Sequence, residues 1–222
     1  MASEKVNKVK DQSVVDQPAA VKAKSAFREY AEAIIMALIL ALFIRTFIVQ
    51  AFKIPSGSMI PTLEIGDHIL VNKLSYGLRM PFLESYLLQY GSPARGDVVV
   101  FIYPEDRSKD FIKRVIAVAG DTVEVRNKKI FINGKQSEDP HGHFAGYDPL
   151  AGGVGSGDDY GPKTVPQNSI FVMGDNRDRS YDSRFWGFVD LREVRGKAFL
   201  IYWSWDGTDR WVRWERLGNL IY

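Results

Sequence analysis

Two serines stand in a run of turn-forming residues, Pro55-Ser56-Gly57-Ser58-Met59-Ile60-Pro61-Thr62-Leu63. The prolines and the glycine keep such a backbone out of a helix, and the glycine lets another chain approach it closely. A serine hydroxyl there becomes a nucleophile only if a base takes its proton. His68 is one candidate, set in an apolar run with only Asp67 beside it as a carboxylate to orient it. Lys113 is the other. In Phe111-Ile112-Lys113-Arg114-Val115-Ile116-Ala117, strand alternation sets Lys113 on the same face as Phe111, Val115 and Ala117, among apolar neighbours. Desolvation disfavours an ammonium ion, so burial there lowers its pKa. From an ordinary value near 10.4, only about 0.04% of a lysine is free base at pH 7; a fall of roughly two to three units, about 3 to 4 kcal/mol, makes a usable general base. On residue types alone, the serine run also reads as a linker, and the lysine as a side chain that snorkels to the surface.

A third segment, Gly174-Asp175-Asn176-Arg177-Asp178-Arg179-Ser180-Tyr181-Asp182-Ser183-Arg184, packs three aspartates and three arginines together. It reads as a turn held by ion pairs at the surface. Arginines fall where a calcium loop needs oxygen ligands. His141 and His143 have no further ligands at a defined spacing, so no metal is expected. The chain has no cysteine, which excludes a thiolate nucleophile, a disulfide and a Cys-ligated metal.

These residues need a scaffold, and the sequence supplies two kinds. Residues 1–28 are polar and rich in lysine, and read as a disordered tail. Twelve apolar residues then run unbroken from Ala33 to Ile44, inside a stretch from Ala31 to Phe52 that stays mostly apolar, and the candidate anchor is set over 29–52. A buried soluble helix, a cleaved signal peptide ending at Val49-Gln50-Ala51 and a membrane anchor all begin this way. Twenty-two helical residues reach about 33 Å, enough to span a bilayer, with Glu32 near one interface and Arg45 near the other. The charged lead-in is too long for an ordinary signal peptide, which favours the anchor. Lysines and an arginine before it set the N-terminus on the cytoplasmic side and everything after residue 52 outside.

From there the pattern changes to short β-branched and aromatic runs broken by Gly-Asp, Asn-Gly or Pro: 68–72, 97–103, 111–119, 122–126, 129–132, 169–173, 197–205 and 211–214. This predicts a mainly β, folded-sheet or barrel-like domain over 53–222. Asn127-Lys128 and Asn133-Gly134 mark turns. A Gly-rich insert at about 137–166 shows no apolar periodicity and reads as flexible surface. Trp203, Trp205, Trp211 and Trp214, with Tyr202 and Tyr222, exceed what one sheet face buries, and suit a hairpin resting on a lipid bilayer. The 222 residues, 45% apolar and 25% charged, suffice for one main domain with a proper core. A net charge of +2 with no basic run gives no reason to expect nucleic acid as a partner.

Taken together, four segments resemble the boxes of the bacterial type I signal peptidases: Ser56 to Leu63 (SGSMIPTL), Arg95 to Phe101 (RGDVVVF), Ile112 to Asp121 (IKRVIAVAGD) and Gly174 to Arg184 (GDNRDRSYDSR), in this order behind one apolar segment. The resemblance covers most of residues 30 to 205. It implies a single-pass protein of the bacterial inner membrane that works without a cofactor, as a monomer, on preprotein signal peptides, cutting after Ala-x-Ala. Ser58 would be the nucleophile, Lys113 the neutral general base, Ser56 an oxyanion donor beside the Ser58 N–H, and Ser180 the group orienting Lys113. Arg114, Asp175, Asp182 and Arg184 would be structural supports. Phe52, Ile54, Met59, Leu63, Val100 and Ile112 would line the substrate pockets. The chain departs from the family pattern in Phe111, where tyrosine is frequent, in its short insert, and in having one apolar segment where some members have two. A self-cleaving regulator with the same Ser/Lys chemistry, which would need a DNA-binding domain, and a non-catalytic tethered β-domain that binds extended peptides are the competing readings.

Overall fold

The computed structural model describes residues 26–79, 86–146 and 157–222. The tail up to residue 25, and the Gly-rich centre of the insert, lie outside the described residues. Two compact units divide at Ile39 and Leu40.

The first unit holds most of helix α1 (Ala26–Phe43). Ile34, Ile35, Met36, Leu38 and Ile39 are all more than half exposed among the described residues. The apolar span runs over Phe27–Ile48, 22 residues of mean hydropathy 2.2, which reach about 33 Å as helix. A helix with an apolar surface this open is suited to lipid rather than to a soluble core. Its ends differ from expectation. Helix begins three residues earlier than residue 29, and the segment does not stay helical to residue 52: after one wider π-helical turn (Ile44–Ile48), strand β1 (Val49–Lys53) begins. Val49 turns extended because its backbone finds partners across the sheet, where Val49 pairs with Asn72 and Lys53 with His68. Val49-Gln50-Ala51 is therefore sheet rather than an open cleavage site.

In the second unit all ladders between strands are antiparallel. The main sheet runs β1, β2 (Asp67–Asn72), β13 (Val194–Asp206), β5 (Val98–Ile102), β6 (Asp110–Val118), β11 (Ser169–Met173) and β12 (Val189–Asp190), with β14 (Trp211–Val212) on β13. A second sheet runs β10 (Tyr160–Thr164), β7 (Thr122–Arg126), β8 (Lys129–Ile132) and β9 (Lys135–Gln136). A separate hairpin pairs β3 (Gly77–Arg79) with β4 (Tyr86–Gln89). The mainly β expectation holds. Asn127 and Lys128, at φ 49° and 66°, make the two-residue turn between β7 and β8. The insert is more ordered than expected at its end: β10 pairs with β7, which gives those backbone groups partners.

Alternation along the buried strands explains their unbroken apolar runs. On β5, Val98 and Val100 pack with Ile54, Met59 and Leu63, whereas Val99 and Phe101 enter a second core with Val115 and Val172. On β11, Ile170 and Val172 face that second core, and Phe171 and Met173 a third, with Val123 and Val125. A strand covered on both faces must be apolar throughout. The consequence for function is positional, because β6 lies between β5 and β11 in the middle of this stack.

Candidate active site

The loop after β1 is fixed by apolar pegs. Ile54, Met59 and Leu63 are no more than 2% exposed, and their backbone closes on itself through Leu63 N–H to Met59 O (2.9 Å) and Ile54 N–H to Asp67 O (2.8 Å). Ser58 sits directly before the Met59 peg, so burial of that side chain fixes where its neighbour's hydroxyl points. Among the described residues the Ser58 N–H has no backbone acceptor.

Lys113 comes from the middle of β6, opposite Val99 of β5, and is 4% exposed. Its Nζ donates to Ser58 Oγ at 2.7 Å. Burial pushes the Lys113 pKa down from 10.5 to about 8; the Asp182 and Asp175 carboxylates work against that fall and the Arg184 guanidinium adds to it. Desolvation is the largest effect, so the amine becomes neutral at accessible pH. Once neutral, it accepts from the Ser58 hydroxyl through the same contact. His68 is elsewhere, its ring 5.9 Å from the ring of Tyr202.

The charged segment after β11 forms the wall behind Ser58, and its expected place at the surface is corrected here. Asp175 and Asp182 are fully buried, Arg177 is 2% exposed and Asp178 6%. Burial of so many charges is tolerated because each has a partner. Arg114 clamps Asp175 with two bonds of 2.8 and 2.7 Å, and Thr62 Oγ1 donates to the same carboxylate at 2.6 Å. Arg184 clamps Asp182 at 2.9 Å through both Nε and Nη2, and Gly174 N–H donates to it at 3.0 Å. Burial alone would raise the Asp182 carboxyl, but the Arg184 charge and these hydrogen bonds outweigh it and hold the group below the usual range. Asn176 then holds the nucleophile loop directly, its N–H on Ser58 O and its Nδ2 on Gly57 O, both at 3.1 Å.

Gly174 is the point of closest approach. A Cβ there would lie 2.4 Å from Ser58 O and 2.3 Å from Ser180 Oγ, so only glycine allows these groups to converge. Ser180 is 6% exposed; its hydroxyl is one of the groups that hold the Asp182 carboxyl below the usual range, and the hydrogen bond of Lys113 Nζ goes to Ser58 Oγ.

The remaining sequence-derived residues divide by exposure. Ser56 is exposed on the turn before Ser58. Ile54, Met59, Leu63 and Val100 are core, whereas Phe52 and Ile112 are half-buried against them and keep some open surface. Sequence reasoning missed Thr62, Asn176 and the contacts that join the insert to this wall. Arg177 pairs with Asp139, His143 N–H donates to Asp175 O at 2.7 Å, and Lys128 and Gly146 N–H both reach Asp178 at 2.8 Å. The only signal in the sequence was the crowding of aspartate and arginine after β11.

A family model described as signal peptidase, peptidase S26, matches residues 27–203. The signal peptidase I of Pseudomonas aeruginosa is 38% identical over 211 residues, covering 80% of this chain and 72% of that protein. That of Leptolyngbya laminosa is 39% identical over 199 residues, covering 84% and 86%. A crystal structure of a signal peptidase I from Enterococcus faecalis, 30% identical, covers 49% of this chain and 98% of its own, with a TM-score of 0.39. With most of its length inside the family model, and relatives this similar along both chains, the chain belongs to the peptidase S26 family, as a bacterial type I signal peptidase and so a serine endopeptidase.

Proposed function

We propose that this chain removes N-terminal signal peptides from exported preproteins, with Ser58 as nucleophile and Lys113 as general base. The observation that carries this reading is the 2.7 Å contact between Ser58 Oγ and a buried Lys113 whose pKa falls to about 8. In the free-base form Lys113 accepts the Ser58 proton as Oγ attacks the scissile carbonyl. The Ser58 N–H and the Ser56 hydroxyl donate to the oxyanion that forms. The Lys113 ammonium then protonates the leaving amine, the C–N bond breaks and an ester on Ser58 remains. Water, deprotonated by Lys113, hydrolyses that ester and frees the signal peptide's carboxylate. Ser180, buried in the same wall, orients the amine once its hydroxyl turns toward Nζ, and Arg114 with Asp175 and Arg184 with Asp182 hold the wall in place.

Strand β1 is an edge of the main sheet and leads directly into the Ser58 loop, which suits a substrate added as an extended strand. Phe52 and Ile112 offer the accessible apolar walls, over a floor of Ile54, Met59, Leu63 and Val100. Shallow apolar sites of this kind favour alanine-sized residues one and three positions before the cut, hence Ala-x-Ala. The reading sets the chain before Phe27 in the cytoplasm, Phe27–Ile48 across the inner membrane and the β-domain outside, working as a monomer without a metal or cofactor. Trp203, Trp205, Trp211 and Trp214, 37% to 65% exposed, rest on the lipid surface.

The test is cleavage of a preprotein by the detergent-solubilised full chain, wild type beside Lys113→Ala, with the mass of the released mature chain read out. Cleavage after an Ala-x-Ala site that vanishes in the variant is expected. A variant that cuts as well as wild type overturns the role of Lys113.

A further inference from the structure

Strands β3 and β4 pair with each other and with no other strand among the described residues. Leu87 and Leu88 are consecutive on β4, where the register against β3 slips: Leu88 pairs with Leu78 and Tyr86 with Arg79, so Leu87 is an extra, bulged residue beside Leu88. They are 66% and 61% exposed, and Tyr90, just past the strand, is 61% exposed. Here two adjacent leucines stand open on a ribbon that pairs with no other strand among the described residues, and a lone two-stranded hairpin is at best marginally stable in water.

The base of the hairpin is tied to the place where the apolar span ends. Lys73 N–H donates to Ile48 O at 2.9 Å and Lys73 Nζ to Thr46 O at 2.5 Å, so both of its donors hold the last turn of that span. The next residues carry the hairpin's stem: Tyr90 Oη donates to Leu74 O, and Tyr90 and Gly91 N–H both reach Tyr76 O. The ribbon thus leaves the domain beside the membrane exit, with no intervening segment long enough to carry it away.

We propose that the β3–β4 hairpin is a second membrane contact of this chain, lying in the interfacial layer of the leaflet from which the span emerges. Leu87 and Leu88 enter the acyl chains, and Tyr90 sits at headgroup level, where an amphipathic ring is favoured. The unpaired edges of a two-stranded ribbon keep it in that layer and out of the hydrocarbon centre, because their N–H and C=O groups need water or headgroups. A single span leaves the domain free to turn about its exit. A second contact beside that exit holds β1, which pairs with the neighbouring strand β2, at a constant height above the lipid. The inference rests on the apolar span and not on which residues catalyse.

The chain has no cysteine, so one introduced cysteine carries one nitroxide label. Leu87→Cys, Leu88→Cys and, as an aqueous reference, Lys135→Cys on β9 are labelled in the full chain and reconstituted into phosphatidylethanolamine and phosphatidylglycerol vesicles. Collision with oxygen and with a water-soluble nickel chelate is then read by electron paramagnetic resonance. At positions 87 and 88 we expect nickel collision several-fold below that at 135, and oxygen collision above it. Nickel access equal to that at 135 overturns the proposal. Shielding of only one of the two positions overturns it as well, since both leucines are assigned to the acyl chains. Shielding that needs added membrane proteins assigns the hairpin to a protein partner instead. Cleavage of a preprotein by each labelled variant shows separately that the domain is folded and the catalytic reading intact.

Discussion

Replacing Lys113 with methionine should abolish cleavage and at the same time stabilise the protein at neutral pH. Methionine is unbranched like lysine and only one atom shorter, so it fills most of the same buried space without a charge. The Lys113 pKa falls from 10.5 to about 8 on folding. At about 1.36 kcal/mol per unit, folding disfavours the ammonium form by about 3 kcal/mol. Below pH 8 the folded and unfolded chains both hold the proton, so that cost is present in full. Between pH 8 and 10.5 the unfolded chain holds a proton that the folded one has released, and stability rises with pH until the cost is gone. The variant never carries it. It does lose the hydrogen bond to Ser58 Oγ, worth about 1 kcal/mol. The net expectation is a gain of about 2 kcal/mol at pH 7, roughly 4 to 8 °C in Tm for a domain of this size. By pH 10.5 the gain should disappear or change sign. Thermal unfolding of the full chain in detergent, followed by tryptophan fluorescence at pH 7, 9 and 10.5, measures the difference directly. A variant less stable than wild type at pH 7, or a difference that does not change with pH, would refute the claim that burial keeps this amine close to neutral.

The same amine sets the pH dependence of catalysis: with a pKa of about 8, about a tenth of it is free base at pH 7, so kcat/KM on a soluble substrate should rise about tenfold by pH 9.5 with a midpoint near 8. A midpoint near 6.5 would point to a histidine instead. Gly174→Ala puts a methyl group 2.4 Å from Ser58 O and 2.3 Å from Ser180 Oγ; displacement of the nucleophile loop on this scale should lower kcat about a hundredfold or more in a cleavage assay, while the variant remains folded by circular dichroism. Arg114→Met leaves the fully buried Asp175 without its clamp and should cost about 3 to 5 kcal/mol in denaturant unfolding. Arg192→Met breaks an ion pair whose arginine is 72% exposed and should cost less than about 1 kcal/mol. Asp139→Asn weakens the tie between the insert and Arg177, and should lower kcat with little change in KM, with Asp139→Glu recovering most of the loss.

Several features of the fold and site are local properties of the chain, and the sequence determined them. The apolar span is legible because twelve successive apolar residues admit no amphipathic alternative, and β5 and β11 because β-branched runs of that length with turns on both sides favour strands. The Asn127-Lys128 turn needed only its own residue types. Lys113 was legible as an oddity, a lysine on an apolar face, and its place in a family box made it a candidate base. Other features depended on partners distant in the chain. Val49–Lys53 looked like the end of a helix because its apolar character is the same in lipid and in sheet, and only the ladder to β2 makes it a strand. The Gly174–Arg184 segment looked solvated, since a charge buries itself only when an opposite charge is brought to it, and Arg114 lies 61 residues from Asp175. The same holds at the centre of the site: Ser58 and Lys113 are 55 residues apart, and neither their contact nor the fall in the lysine's pKa can be read from spacing. Residue types determined which chemistry was available, and the packing of β6 between two strands decided that one lysine would lose its water beside one serine.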